Sequence, residues 1–131
     1  MFNKKKQPPI KSLIAEGSQI SGDIRFTDGM RIDGEVSGNI RASEDHASIL
    51  VISDSAKVTG EVVADHIIIN GAVKGPVHAH HMLELQPKAR IEGDVKYAAL
   101  EMHQGALITG QLQPILASEE KPTLKLAANN Q

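Results

Sequence analysis

Six histidines are the residues best suited to chemistry in this chain, and three of them stand together as His78-Ala79-His80-His81. On an extended segment His78 and His80 share a parity and face the same way. A metal site would need further donors at suitable spacing. The chain has no cysteine, and no carboxylate in the adjoining sequence completes a shell. A wet surface cluster is the expectation, with no metal and no cofactor. His46, His66 and His103 fall in a polar excursion, at a corner and on an outer face, and none adjoins a nucleophile motif. No catalytic residue is predicted.

The elements that must carry these residues follow from composition and repetition. The chain has 131 residues, enough for one domain around one continuous core. Hydrophobic residues make up 40% but aromatic ones only 2%: Phe2, Phe26 and Tyr97. A core almost without aromatic blocks needs a narrow cross-section that Ile, Val, Leu and Ala can fill. The formal charge of −2 gives no support to wholesale nucleic-acid binding. No apolar run reaches the ~18 residues of a membrane-spanning helix. The basic start lacks the apolar stretch of a signal peptide, and Phe2 stands where myristoylation needs glycine. The expected location is inside the cell.

A five-residue unit, aliphatic-x-Gly-x-aliphatic, recurs through the middle of the chain. It is centred on Gly22, Gly38, Gly60, Gly75, Gly93 and Gly110, in steps of 16, 22, 15, 18 and 17 residues. Secondary copies centred on Gly34 and Gly71 run into the second and fourth units. Around the units apolar and polar residues alternate. Met30, Ile32, Val36, Ile40 and Ala42 take one parity, and Arg31, Asp33, Glu35, Ser37 and Arg41 the other. Period two means strand, one face buried and one wet. Parity changes near Asp65-His66 and Ala99-Leu100 fit corners.

Short strands repeating at this interval predict an all-β fold: a three-sided parallel β-helix (solenoid) of about six coils, each residue stacked on its counterpart one coil above. At ~3.3 Å per residue one period gives a perimeter of about 58 Å, three sides of roughly 19 Å. Its interior is two or three aliphatic side chains wide, which explains the missing aromatics. The 22-residue step holds Ser43–Ser48, read as a surface loop out of an otherwise regular coil. The expected organisation is a flexible basic tail over 1–12, the β-helix over 13–113 and a disordered tail over 114–131.

These repeats resemble the bactofilins, bacterial cytoskeletal proteins. The resemblance is carried by Ile14-Ala-Glu-Gly17, by Ile32-Asp-Gly34-Glu-Val36-Ser-Gly38-Asn-Ile40, by Ala56-Lys-Val58-Thr-Gly60-Glu-Val62 and by Ala89-Arg-Ile91-Glu-Gly93-Asp-Val95. It implies a right-handed three-sided β-helix flanked by flexible tails, self-assembly into filaments without nucleotide, scaffolding of cell-wall enzymes and an influence on cell shape. Met1, Phe2, Lys4, Lys5 and Lys6, followed by Pro8-Pro9, look like the membrane-targeting tail of some bactofilins. The implied partners are other copies of the chain, an anionic membrane surface and cell-wall synthesis or hydrolysis enzymes; nucleic acid is not among them. The implied location is cytoplasmic, peripheral on the inner membrane. Two departures stand out: the 43–48 insertion, and Leu107-Ile108 where many relatives carry aromatic residues.

A solenoid's ends are edges with unpaired backbone groups and an open apolar cross-section. A monomeric solenoid needs caps. Ile20, Ile24 and Phe26 at one end and Ala106, Leu107, Ile108 and Leu112 at the other are the expected polymer interface. Burying about 300–400 Å² of apolar area per end gives roughly 8–10 kcal/mol gross, much of it offset by association costs. A further column, three residues after each repeated glycine, stacks Arg25, Arg41, His78 and Lys96 into a broken basic stripe, read first as a solvated face and second as a contact for an anionic partner or membrane. The rival readings are a hexapeptide-repeat acyltransferase, whose strict six-residue phase these steps do not hold, and a monomeric β-helical binding module.

Overall fold

A computed structural model describes residues 7–115. They fold as six three-sided coils of short parallel strands, without a helix. The first coil is β1 (Ile10–Ile14), β2 (Gln19–Ser21) and β3 (Ile24–Phe26). The second is β4 (Gly29–Ile32), β5 (Glu35–Ser37) and β6 (Ile40–Ala42). β7 (Ile49–Ile52) and β8 (Lys57–Thr59) begin the third. From there some strands bend through a corner and serve two coils: β9 (Val62–Ile69), β11 (Val77–Leu85) and β13 (Val95–Met102). β10 (Ala72–Lys74), β12 (Arg90–Glu92) and β14 (Leu107–Thr109) make the middle side of the upper coils, and β15 (Leu112–Pro114) closes the last. β1 starts at Ile10, so the β-helix takes in residues that composition alone assigns to the tail.

The register stacks like on like. Ile20, Val36, Val58, Val73, Ile91 and Ile108 form one inward column. Ile24, Ile40, Val62, Val77, Val95 and Leu112 form a second. Ile14, Ile32, Ile52, Ile69, Leu85 and Met102 form a third. Within the middle coils these side chains are fully buried, and they make one continuous core. β-Branched residues suit this role because they pack on a pleated surface with little loss of rotamer freedom.

The repeated glycines mark one corner. The side chain following the glycine often caps the coil above: Asp23 Oδ1 accepts from Asn39 N (3.0 Å), Asn39 Oδ1 from Glu61 N (2.9 Å) and Asp94 Oδ1 from Gln111 N (2.9 Å). Gly75 has φ +147°, and a Cβ there would run into the carbonyl oxygen of Gly60 one coil below. Gly22, at φ +124°, has nothing within 4 Å of that position because no coil lies beneath it.

At a second corner the other coils pass with one or two residues, whereas the second coil inserts 43–48. This excursion is tied down. Buried Ser48 exchanges hydrogen bonds with Asp65: Asp65 N donates to Ser48 Oγ (3.0 Å) and Ser48 N to Asp65 Oδ2 (3.2 Å). His80 Nδ1 meets the other oxygen of Asp65 at 3.1 Å.

A Gly75→Ala substitution should cost about 2–4 kcal/mol, from left-handed backbone strain and the inter-coil clash together. Gly22→Ala keeps only the strain term and should cost distinctly less. Thermal melts of the two variants compare them, and equal losses would contradict this account of the corner.

Candidate assembly surfaces at the rod ends

Among the described residues each end coil has neighbours on one side only. β1, β2 and β3 pair with β4, β5 and β6 and leave their other edges open. At the opposite end β14 and β15 pair only with β12 and β13. The Ala99–Met102 half of β13 pairs with β11 alone, since β15 reaches only Val95–Tyr97. Unpaired N–H and C=O groups therefore frame both cross-sections.

The apolar columns emerge at these edges. Leu112 is 48% exposed and Met102 44%, whereas their counterparts one coil down, Val95 and Leu85, are fully buried. Leu100 and Ile108 are half-buried beside them. At the first coil Ile14, Ile20 and Ile24 are half-buried.

Not every expected interface residue stands at an open cross-section. Phe26 and Ala106 are buried within the chain, at 6% and 7% exposure, and have little surface left to offer a partner. Leu107 is exposed but belongs to the outward column of Gln19, Glu35, Lys57, Ala72 and Arg90, so it lies on the side of the rod rather than across its end. Met102 and Leu100 were not singled out from sequence. Their signals were available in two columns, Ile32-Ile52-Ile69-Leu85 for Met102 and Met30-Leu50-Ile67-Leu83 for Leu100, which require knowing where the second corner falls.

The expected stripe does stack. Arg25 pairs with Arg41, Arg41 with Val63, Val63 with His78 and His78 with Lys96. Val63, itself buried, interrupts it. Arg41 also contacts Glu61 at 3.4 Å, which offsets part of its charge. The rings of His78 and His80 meet edge to face at 4.7 Å. Burial first, then the charges of His80 and Lys96, hold the His78 imidazole below its ordinary value. A neutral His78 weakens the stripe further.

Met1, Phe2, Lys4, Lys5 and Lys6 lie outside the described residues. The segment just after them is informative. Pro9 lies against Gly29 of the second coil, and Gln7 Nε2 meets His66 Nδ1, further along the rod, at 3.0 Å. Residues 7–9 thus run along the flank rather than across the first cross-section. With Nδ1 accepting from Gln7, the proton of His66 sits on Nε2, which is buried with no partner among the described residues. Lys11 holds the neighbouring turn through a 2.6 Å ion pair with Asp28, and that hydrogen bond keeps the Asp28 carboxyl below its ordinary range.

Comparison with known proteins agrees with this geometry. A family model named Bactofilin, described as polymer-forming cytoskeletal, matches residues 12–113. This chain belongs to the bactofilin family. It is 25% identical to bactofilin BacO of Myxococcus xanthus (strain DK1622) over 111 residues, 85% of each chain. It is 26% identical to bactofilin BacP of the same organism over 93 residues, 71% of this chain and 37% of BacP. No solved structure matches. Membership in a family of structural cytoskeletal proteins takes the place of the acyltransferase reading. Among the described residues no helix is long and apolar enough to cross a membrane.

Burial holds the His66 imidazole below its ordinary value, against a smaller opposing pull from Glu84 and Glu101. The unfolded chain therefore takes up this proton first as pH falls. Stability from this group is complete above about pH 6.5 and declines below it. Between about pH 7 and pH 5 a His66→Gln variant should lose less stability than the parent chain. Denaturant melts across that range measure the slope, and identical slopes would remove His66 from the account.

Proposed function

We propose that this bactofilin is a filament subunit that joins end to end without nucleotide and serves as a membrane-apposed scaffold for cell-wall and cell-shape machinery. The observation that carries the reading is the pair of open cross-sections, where core columns and strand edges stop without a cap among the described residues. A second copy supplies what each edge lacks, namely strand partners and apolar cover. The contact energy comes from burial and backbone pairing, so no hydrolysis step is required.

The absence of a nucleotide requirement has a physical basis in the glycine corner. Glycine-rich loops bind phosphate when their N–H groups are free to point at it. Here those N–H groups are spent on the ladder: Gly38 N donates to Thr59 O (2.9 Å), Gly60 N to Lys74 O (2.8 Å) and Gly75 N to Glu92 O (2.9 Å). The repeated glycine therefore serves coil packing.

Membrane apposition rests on the basic start of the chain and on its lateral approach. Each lysine near an anionic leaflet contributes about 1 kcal/mol, and Phe2 adds an apolar anchor. One tail binds weakly, but a filament presents many tails along its flank, and avidity multiplies the effect. Recruitment of cell-wall enzymes and a cytoplasmic location at the inner membrane complete the reading.

Untagged protein should form filaments in negative-stain electron microscopy with no nucleotide present. Leu112→Lys and Met102→Lys together should leave short, soluble species in sedimentation, because each charge would be buried at the joint. Filaments of unchanged length would refute the end contact. Replacing Lys4, Lys5 and Lys6 by serine should release the polymer from anionic vesicles while leaving filaments intact; retention on the vesicles would refute the tail assignment.

A further inference from the structure

The side of the rod carries a second feature, independent of the ends. Glu84, Glu101 and His103 bring one donor atom each to within 4.8 Å of one another. They are 17 or more residues apart in part, yet Glu84 and Glu101 are direct partners in the β11–β13 register, and His103 follows the end of that strand. Glu84 belongs to the fifth coil, the other two to the sixth. His103 Nε2 lies 3.4 Å from Glu84 Oε2 and 3.2 Å from Glu101 Oε2.

Two properties separate this cluster from ordinary surface acids. First, Glu84 and Glu101 are like charges placed directly opposite each other, an unfavourable cross-strand pair. Among the described residues neither has a Lys or Arg within ion-pair distance, whereas Glu61, Asp28, Asp33 and Asp54 all do. Second, the donors have the spacing of a coordination shell. Donors about 2.0–2.1 Å from a tetrahedral Zn²⁺ lie roughly 3.3 Å apart, and the two distances to His103 fall at that value.

The surroundings hold the donors in place. Gln86 Nε2 donates to Glu84 Oε2 at 3.1 Å. The backbone of His103 is fixed on both sides, its N–H donating to Leu85 O (2.8 Å) and its carbonyl accepting from Ala106 N (3.2 Å). Glu84 is the more enclosed of the two carboxylates, with 21% of its side chain exposed against 53% for Glu101. One imidazole and two carboxylates form a borderline donor set suited to Zn²⁺, with solvent as the remaining ligand.

We infer that Glu84, Glu101 and His103 form a zinc-class divalent-cation site that staples the sixth coil to the fifth. The sixth coil has a neighbour on one side only and its Ala99–Met102 strand half lacks a further partner, so it is where a clip adds most. The cation also cancels the repulsion between the stacked carboxylates. Binding at this site does not depend on filament formation.

The test uses the untagged chain, carrying Leu112→Lys if needed to keep it dispersed, titrated with Zn²⁺ by calorimetry and with Co²⁺ by visible absorption. One equivalent per chain at micromolar affinity, a Co²⁺ d–d band and a zinc-dependent rise in melting temperature are expected. His103→Gln and Glu101→Gln should each weaken binding at least tenfold, while a His78→Asn, His80→Asn, His81→Asn triple variant retains it. Glu101 is exposed, so its isosteric change leaves the fold intact. No uptake at millimolar Zn²⁺, full affinity in both single variants, or loss confined to the triple variant would each overturn the site.

Discussion

The rest of the structure depends on the stacking of one coil on the next at the spacing of a parallel hydrogen-bond ladder. That spacing is set by backbone geometry and leaves no freedom along the rod axis. Whatever occupies a position must tolerate a copy of its own environment directly above and below. Aliphatic columns meet this condition because Ile on Val on Val packs without a polar remainder. The repeated glycine meets it where the backbone turns so tightly that the carbonyl of Gly60 occupies the space a Cβ on Gly75 would need. Outward positions meet it with less success. Arg25 stacks on Arg41 and Glu84 on Glu101, so like charges recur along the rod.

The same constraint explains why the ends matter. A coil in the middle of the rod has strand partners and apolar cover on both sides. The first and sixth coils have identical chemistry with one side missing, so their exposure follows from position alone. Leu112 and Val95 occupy the same column, and one is half-exposed while the other is fully buried. In the proposed end-to-end contact a second copy extends the interior environment to the terminal coils. Because the ladder is the source of cohesion, a subunit of this shape needs no separate assembly domain.

Local detail is arranged so as not to block those ends. The segment from Gln7 to Pro9 lies along the flank, against His66 and Gly29. The 43–48 excursion also stays on the side, pinned through Ser48, Asp65 and His80. Pinning an insertion by a buried serine and a carboxylate satisfies its backbone groups at the point where the loop rejoins the coil, and so avoids the cost of leaving them unpaired.

Much of this architecture was legible in the residues. Recurrence of aliphatic-x-Gly-x-aliphatic units and period-two alternation determined a parallel solenoid of about six coils, since only stacking lets so short a unit bury its apolar face. The stripe of Arg25, Arg41, His78 and Lys96 was legible for the same reason: fixed offsets from a repeated glycine become vertical columns. Tertiary structure decided the rest. It buried Phe26 and Ala106, turned Leu107 to the flank, and brought Glu84, Glu101 and His103 together. Those outcomes depend on how many residues each corner consumes, and corners vary because their side chains face solvent and obey no stacking rule. A repeat in sequence reveals which residues share a column only up to the next corner; beyond it, backbone geometry settles the register.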